Sequence, residues 1–301
     1  MSATTTQYKM DRMSDTTVKS RRSSECSSCV PPAYEMGVLT PTTSISNESL
    51  PAYDNLSKRL SSSSQTTFCT TKSLQIESAG HPLIALPVCL KPTPTPVYSV
   101  TPSGEIGELA YESLRTKKHS GNSILVRAGG DSEAPICSTA YRFGPGRPPR
   151  LSLHGLRETE EEYEVINKGC ATRAQIIRTH LGTFEWRYAN RQERKTEGAN
   201  SLLILDLVST ISIDGKERER RQKVAQFVRN EEYRTAGSKG STAGNGGRLM
   251  MDLRDWVDTK GEEEQMEVLA VATCIVMLKK EVDRRRMHQA IVLMSASGGG
   301  P

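Results

Sequence analysis

The sequence predicts a mainly β protein: a closed antiparallel barrel of about 12 strands around a C-terminal hydrophobic helix, preceded by a disordered N-terminal arm. Three observations carry this expectation. Short apolar runs divided by turn residues fill the chain from residue 73 onward; one late stretch, 262–294, has neither Gly nor Pro; and residues 1–72 are dominated by Ser, Thr, Pro and charge.

The arm comes first. With serine at 61–64 and few large apolar residues, positions 1–72 cannot bury enough surface to offset the entropy of ordering. The whole chain is 36% hydrophobic with only 5% aromatic residues, lean for a fully packed protein of 301 residues. The barrel would then occupy residues 73–297.

Its strands are read from runs of about 4 to 8 residues. They are LQI at 74–76, LIALPVCL at 83–90, VYSV at 97–100, EIGELAY at 105–111, SILVR at 123–127, AYRF at 140–143 and RLSLH at 150–154. YEVIN at 163–167, AQIIR at 174–178, TFEWRY at 183–188, SLLILDLV at 201–208, KVAQFV at 223–228 and RLMMDL at 248–253 follow. Several alternate, as Phe184, Trp186 and Tyr188 do against Glu185 and Arg187, which puts one set inside and the other outside. Turn signals separate them: FGPGRPP at 143–149, NKG at 167–169, IDG at 213–215 and GSKGSTAGNGG at 237–247. The acidic run ETEEE at 158–162 is expected to be a solvated turn, and Trp186 and Trp256 to pack beneath strands.

The final element is a helix over about 262–294, bounded by Gly261 and Gly298. Glu262, Glu263 and Glu264 open it, and Lys279, Lys280, Arg284, Arg285 and Arg286 come late, the order that suits the helix dipole. Its centre, VLAVATCIVML at 268–278, is apolar around the whole circumference, so it must be enclosed. Those residues rise only about 16 Å, roughly half a bilayer core, so protein is the expected enclosure.

Strands closing around one C-terminal apolar helix resemble the tubby C-terminal-like superfamily of tubby, LURP-one-related and phospholipid scramblase proteins. LGTFEWRYANRQERK (181–195), AQFVRNEEYRT (225–235), AGNGGRL (243–249) and VATCIVMLKKEVDRRR (271–286) are similar to uncharacterised filamentous-fungal members of that group. The resemblance implies the barrel-around-helix fold and, through tubby proteins, phosphoinositide binding by basic residues. Neither calcium binding nor lipid scrambling carries over onto particular positions, although a scramblase-like lipid-handling role is the alternative function it implies.

Function is sought first among charges. Forty Lys and Arg face 35 Asp and Glu, a net charge of +5 that excludes neither anions nor mixed surfaces. Arg187, Arg191, Arg194 and Lys195 are the candidate anionic-ligand residues, a membrane lipid headgroup being the expected partner. Arg142, Arg147 and Arg150, and Arg218, Arg220, Arg221 and Lys223, form two further clusters. Interleaved Glu193, Glu197, Glu217 and Glu219 leave open a simple mixed-charge surface. With four Phe and two Trp, stacking on bases has little to use, and no nucleic-acid partner is expected.

Docking motifs lie in the arm. Pro31-Pro32-Ala33-Tyr34 is a P-P-x-Y sequence and Leu50-Pro51-Ala52-Tyr53 its L-P-x-Y variant. Both resemble ligands of WW domains: Pro31, Pro32 and Pro51 preset the polyproline II conformation, while Tyr34 and Tyr53 supply a ring and a hydroxyl. A WW-domain ubiquitin ligase is the expected partner, and two copies would strengthen binding to tandem domains.

Catalytic chemistry is not expected. The Cys26-x-x-Cys29 pair has no second Cys/His pair at zinc-ribbon spacing, GSKGST at 237–242 lacks the phosphate-loop spacing, and the five histidines never stand four residues apart. No cofactor or metal is expected. The opening MSATTTQYKMDRM has no apolar signal core, and Ser2 stands where myristoylation needs glycine, so a cytoplasmic protein, peripheral at a membrane, is the expectation. The reading as a whole is a non-enzymatic adaptor or membrane-peripheral module.

Overall fold

The computed structural model describes residues 67–297, apart from 88–92, 116, 118–119, 130–133, 143–146, 157–160, 170–171 and 214–215. Pro31, Pro32, Tyr34, Pro51, Tyr53 and the Cys26–Cys29 pair lie outside the described residues.

Twelve strands form the wall. They are β1 (Lys72–Ile76), β2 (Thr95–Val100), β3 (Ile106–Leu114), β4 (Ser123–Arg127), β5 (Cys137–Ala140) and β6 (Arg150–Leu153). Then come β7 (Glu161–Asn167), β8 (Gln175–Thr179), β9 (Gly182–Tyr188), β10 (Ser201–Ile213), β11 (Lys216–Arg229) and β12 (Gly247–Met251). A short helix α1 (Arg191–Thr196) joins β9 to β10, a 3-10 turn spans Arg254–Trp256, and α2 runs over Glu262–Ser297. Each strand pairs antiparallel with its neighbours in sequence, and β1 closes the barrel by pairing with both β2 (Leu74 opposite Ser99) and β12 (Leu74 opposite Leu249). Among the described strands, closure leaves no edge.

Helix α2 fills the interior. Met266, Val268, Leu269, Val271, Val276, Met277 and Leu278 are buried against Leu74, Phe184, Trp186, Phe227 and Leu249 from the wall, at about 1.5–3 kcal/mol for each large side chain removed from water. Ile275, on the same segment, is only partly buried and packs at the margin of this core. Three polar helix residues are tied to the wall and fix the helix's rotation: Tyr111 Oη donates to Glu267 Oε1 at 2.9 Å, Trp186 Nε1 to Thr273 Oγ1 at 2.9 Å, and Tyr188 Oη to Glu281 Oε1 at 2.6 Å. An all-apolar helix could turn within a barrel; these bonds define one setting.

Three sequence expectations are corrected. Within the run expected as a strand at 83–90, residues 83–87 are bends with Leu83, Ile84 and Leu86 exposed, because Pro82 and Pro87 remove ladder donors and the barrel closes without them; 88–90 lie outside the described residues. The strand expected at 140–143 is instead β5, ending at Ala140. Glu161 and Glu162 are not in a turn but begin β7, where Glu162 meets Arg150 of β6 at 3.2 Å across the strand pair. Trp186 and Trp256 are both buried, as expected.

The helix also differs from its expected form at the end. It continues to Ser297 with no basic residue in its last turn, so Arg284, Arg285 and Arg286 lie well inside it and cannot be serving its C-terminal dipole.

Candidate functional site

Where α2 leaves the barrel, the wall and the helix enclose an open cavity of about 380 Å³. Its floor is an ion pair. Arg229, the last residue of β11, stands opposite Ser201, the first of β10, and donates to Ser201 Oγ at 2.8 Å. Its Nη1 and Nη2 also donate to Glu281 Oε2 and Oε1 at 2.6 and 2.8 Å, a bidentate pair whose side chains are 6% and 10% exposed. Glu281 accepts two more bonds, from Tyr188 Oη and from the Gly244 N–H at 2.9 Å. Burial pushes this carboxyl up, but the Arg229 hydrogen bonds and charge outweigh it and hold the group below the usual range. Burial likewise opposes the charge on Arg229, and Glu281 overcomes it.

The Gly244 contact depends on the AGNGG loop. Gly244 has φ +68°, and a Cβ there would stand 2.6 Å from the Leu278 carbonyl oxygen of α2. At Gly246 a Cβ would stand 2.2 Å from the Ile76 carbonyl oxygen. Glycine lets this loop lie directly on helix and strand, forming one side of the cavity.

The remaining rim is cationic. Arg173 precedes β8, Arg234 follows β11, and Arg284, Arg285 and His288 come from successive turns of α2. Glu281 is the only carboxylate among the described lining residues, and it is already neutralised by Arg229. None of Arg173, Arg234, Arg284 and Arg285 forms an ion pair among the described residues. Arg173 lies over the Tyr188 ring, 5.8 Å from its centroid, and Arg285 Nη1 is buried without a hydrogen-bond partner. Burial, and secondarily the Arg284 charge, lower the ammonium of the neighbouring Lys280 to about 8.

The residues expected to hold an anion are placed differently. Arg187 donates to Glu193 Oε2 and Oε1 at 3.0 and 2.8 Å and to Asp206 Oδ2 at 2.7 Å, chiefly through Glu193 raising its affinity for its proton. Glu193 also closes the capping box of α1 with Asn190, so this arginine anchors the helix. Arg194 donates to the Asn200 carbonyl at 3.3 Å and, with Arg187, lines an adjoining depression of about 530 Å³ that shares Arg173, Tyr188 and Ser201 with the cavity at the helix exit. Arg191 and Lys195 are exposed on α1 and line neither. In the other basic clusters Arg142 and Arg150 pair with Glu164, Arg221 with Glu185 and Glu219, and Lys223 with Glu197.

Arg173, Arg229 and Arg234 had no distinguishing mark in the sequence. Arg284–Arg286 stood out only as a run of three successive arginines late in the helix. Among the described residues no group of three His, Cys, Asp or Glu is placed to hold a metal, and no helix is long and apolar enough to cross a membrane. A scan of family models and searches of curated proteins and of solved structures found no match to this chain.

Proposed function

We propose that this chain is a binding module whose barrel holds a phosphorylated anion, such as a phosphoinositide headgroup, in the cavity rimmed by Arg173, Arg234, Arg284 and Arg285. One observation carries the reading: four arginines converge on a cavity whose described lining holds a single carboxylate, itself paired with Arg229. Guanidinium groups that share one cavity without a free carboxylate repel one another, and an anion of several oxygens relieves that repulsion while accepting their forked hydrogen bonds. The side chains of Ser201, Ser241, Thr242 and Asn245 on the same wall offer further donors.

On this reading the chain is an adaptor rather than an enzyme. The P-P-x-Y and L-P-x-Y motifs of residues 31–34 and 50–53 recruit a WW-domain ubiquitin ligase to wherever the barrel is bound. Kinship with tubby-like proteins is proposed on the same footing, from the closed barrel around a C-terminal helix. The scramblase-like alternative is less favoured, since the apolar segment it would place in lipid, 268–278, is enclosed by strands.

Calorimetric titration with a soluble inositol trisphosphate tests the pocket. Each charged hydrogen bond to phosphate is worth about 1.5–3 kcal/mol, so Arg284→Gln with Arg285→Gln should weaken binding at least a hundredfold. Arg191→Gln with Lys195→Gln should leave it within about twofold. No binding by the wild type, or a loss confined to the second variant, would overturn the assignment.

A further inference from the structure

Beyond the arginine rim the molecule exposes apolar side chains in two segments that share one surface. On α2, after the arginines, Ile291, Val292, Leu293 and Met294 are exposed, Met294 to 73%. Beside it the 83–87 bends expose Leu83, Ile84 and Leu86, Ile84 to 93%. Gln289 joins them: its Nε2 donates to the Leu83 carbonyl at 2.9 Å, and its Oε1 lies 2.7 Å from His81 Nε2. His81 is in turn fixed to the cavity wall, exchanging backbone hydrogen bonds with Ala243 at 2.8 and 2.9 Å. Apolar loop, apolar helix end and arginine cavity are therefore one continuous region.

We infer that this region is a membrane-seating surface, in which the 83–86 bends and the 291–294 helix end enter the outer few ångströms of an anionic bilayer while the arginines engage headgroup phosphates. The inference rests on the proposed anion pocket and names the lipid, rather than a soluble phosphate compound, as its source. The arrangement of the side chains favours lipid over a protein partner. At 100° per residue, positions 291–294 point to all sides of α2. A groove on a protein covers one side of a helix, whereas an acyl phase surrounds it. The side facing Gln289 carries the loop, which brings apolar residues of its own. Depth agrees as well: residues 291–294 extend about 6 Å along α2, within the burial of interfacial segments and far short of a span. Arg284, Arg285 and Arg286 follow one turn above, at the level of the phosphates.

The full-length protein should sediment with phosphatidylcholine vesicles containing phosphatidylserine and a phosphoinositide. Ile84→Ser with Ile291→Ser and Met294→Ser should reduce that binding more than tenfold and leave soluble inositol trisphosphate affinity unchanged. As a second measurement, Ile84→Trp should shift its emission to the blue on vesicle addition and be quenched by lipid brominated high on its acyl chains. Vesicle binding retained by the triple variant, or no quenching of the new tryptophan, would each overturn the seating surface. A wild type that binds the soluble headgroup but not vesicles would refute this inference alone; one that binds neither would refute the pocket as well.

Discussion

Replacing Glu281 with Gln removes the charge at the centre of the cavity floor. The carboxylate accepts four hydrogen bonds, two from Arg229 and one each from Tyr188 and Gly244. An amide keeps one acceptor and turns an NH2 group toward donors, leaving Arg229 charged and unpaired at 6% exposure. Breaking a buried pair in this way costs about 3–5 kcal/mol. For a barrel of this size each kcal/mol moves Tm by about 2–4 °C, so thermal unfolding followed by Trp186 and Trp256 fluorescence should fall by about 6–20 °C. Adding Arg229→Met should restore part of the loss, because the orphaned charge is then gone. The pH dependence has a definite sign. A carboxyl whose folded value is held below its ordinary 4.5 contributes stability above that pH and loses it as pH falls through the lowered value. The wild type should therefore lose stability below about pH 4.5 more steeply than Glu281→Gln. A Glu281→Gln protein melting within about 2 °C of wild type at neutral pH, with the same acid slope, would refute the reasoning.

Further outcomes follow from other contacts. Gly244→Ala should lower Tm by several degrees and weaken anion binding together, since the new Cβ strikes the Leu278 carbonyl oxygen at a positive φ. Thr273→Val keeps the shape of the helix but strands the buried Trp186 N–H; a loss of about 1–3 kcal/mol in urea unfolding is expected, and none if the bond is unimportant. In the segment 25–60, Tyr34→Ala should remove most binding to an isolated WW domain, whereas Tyr53→Ala should matter mainly against tandem domains; equal, undetectable binding by all three would mean that the repeated Pro-Ala-Tyr is compositional.

Legibility in the sequence followed the range of the interactions. The enclosed helix could be read because apolarity around a full circumference is a property of adjacent residues, and all of 268–278 but Ile275 is buried. Strands β4, β6 and β9 could be read from alternation and turns. The run at 83–90 misled because an apolar run reads alike in a core strand and on an exposed surface; only Pro82 before it and Pro87 within it argued against pairing. Charge was the least legible. Whether an arginine is neutralised depends on distant partners: Arg187 meets Asp206 across β9 and β10, while Arg173, Arg234 and Arg284 come together only when the barrel closes around α2. A local window counts charges and cannot pair them.

On the proposed function, the arginines at the helix exit, and not those of α1, contact the ligand. Side-chain Nε–H spectra of nitrogen-labelled arginine, recorded while a soluble inositol trisphosphate is added, test it directly. The signals of Arg173, Arg234, Arg284 and Arg285, assigned by single Lys replacements, should move in step with calorimetric saturation while those of Arg191 and Arg194 stay in place. Movement confined to Arg187, Arg191 and Arg194, or no movement at saturating ligand, would contradict it.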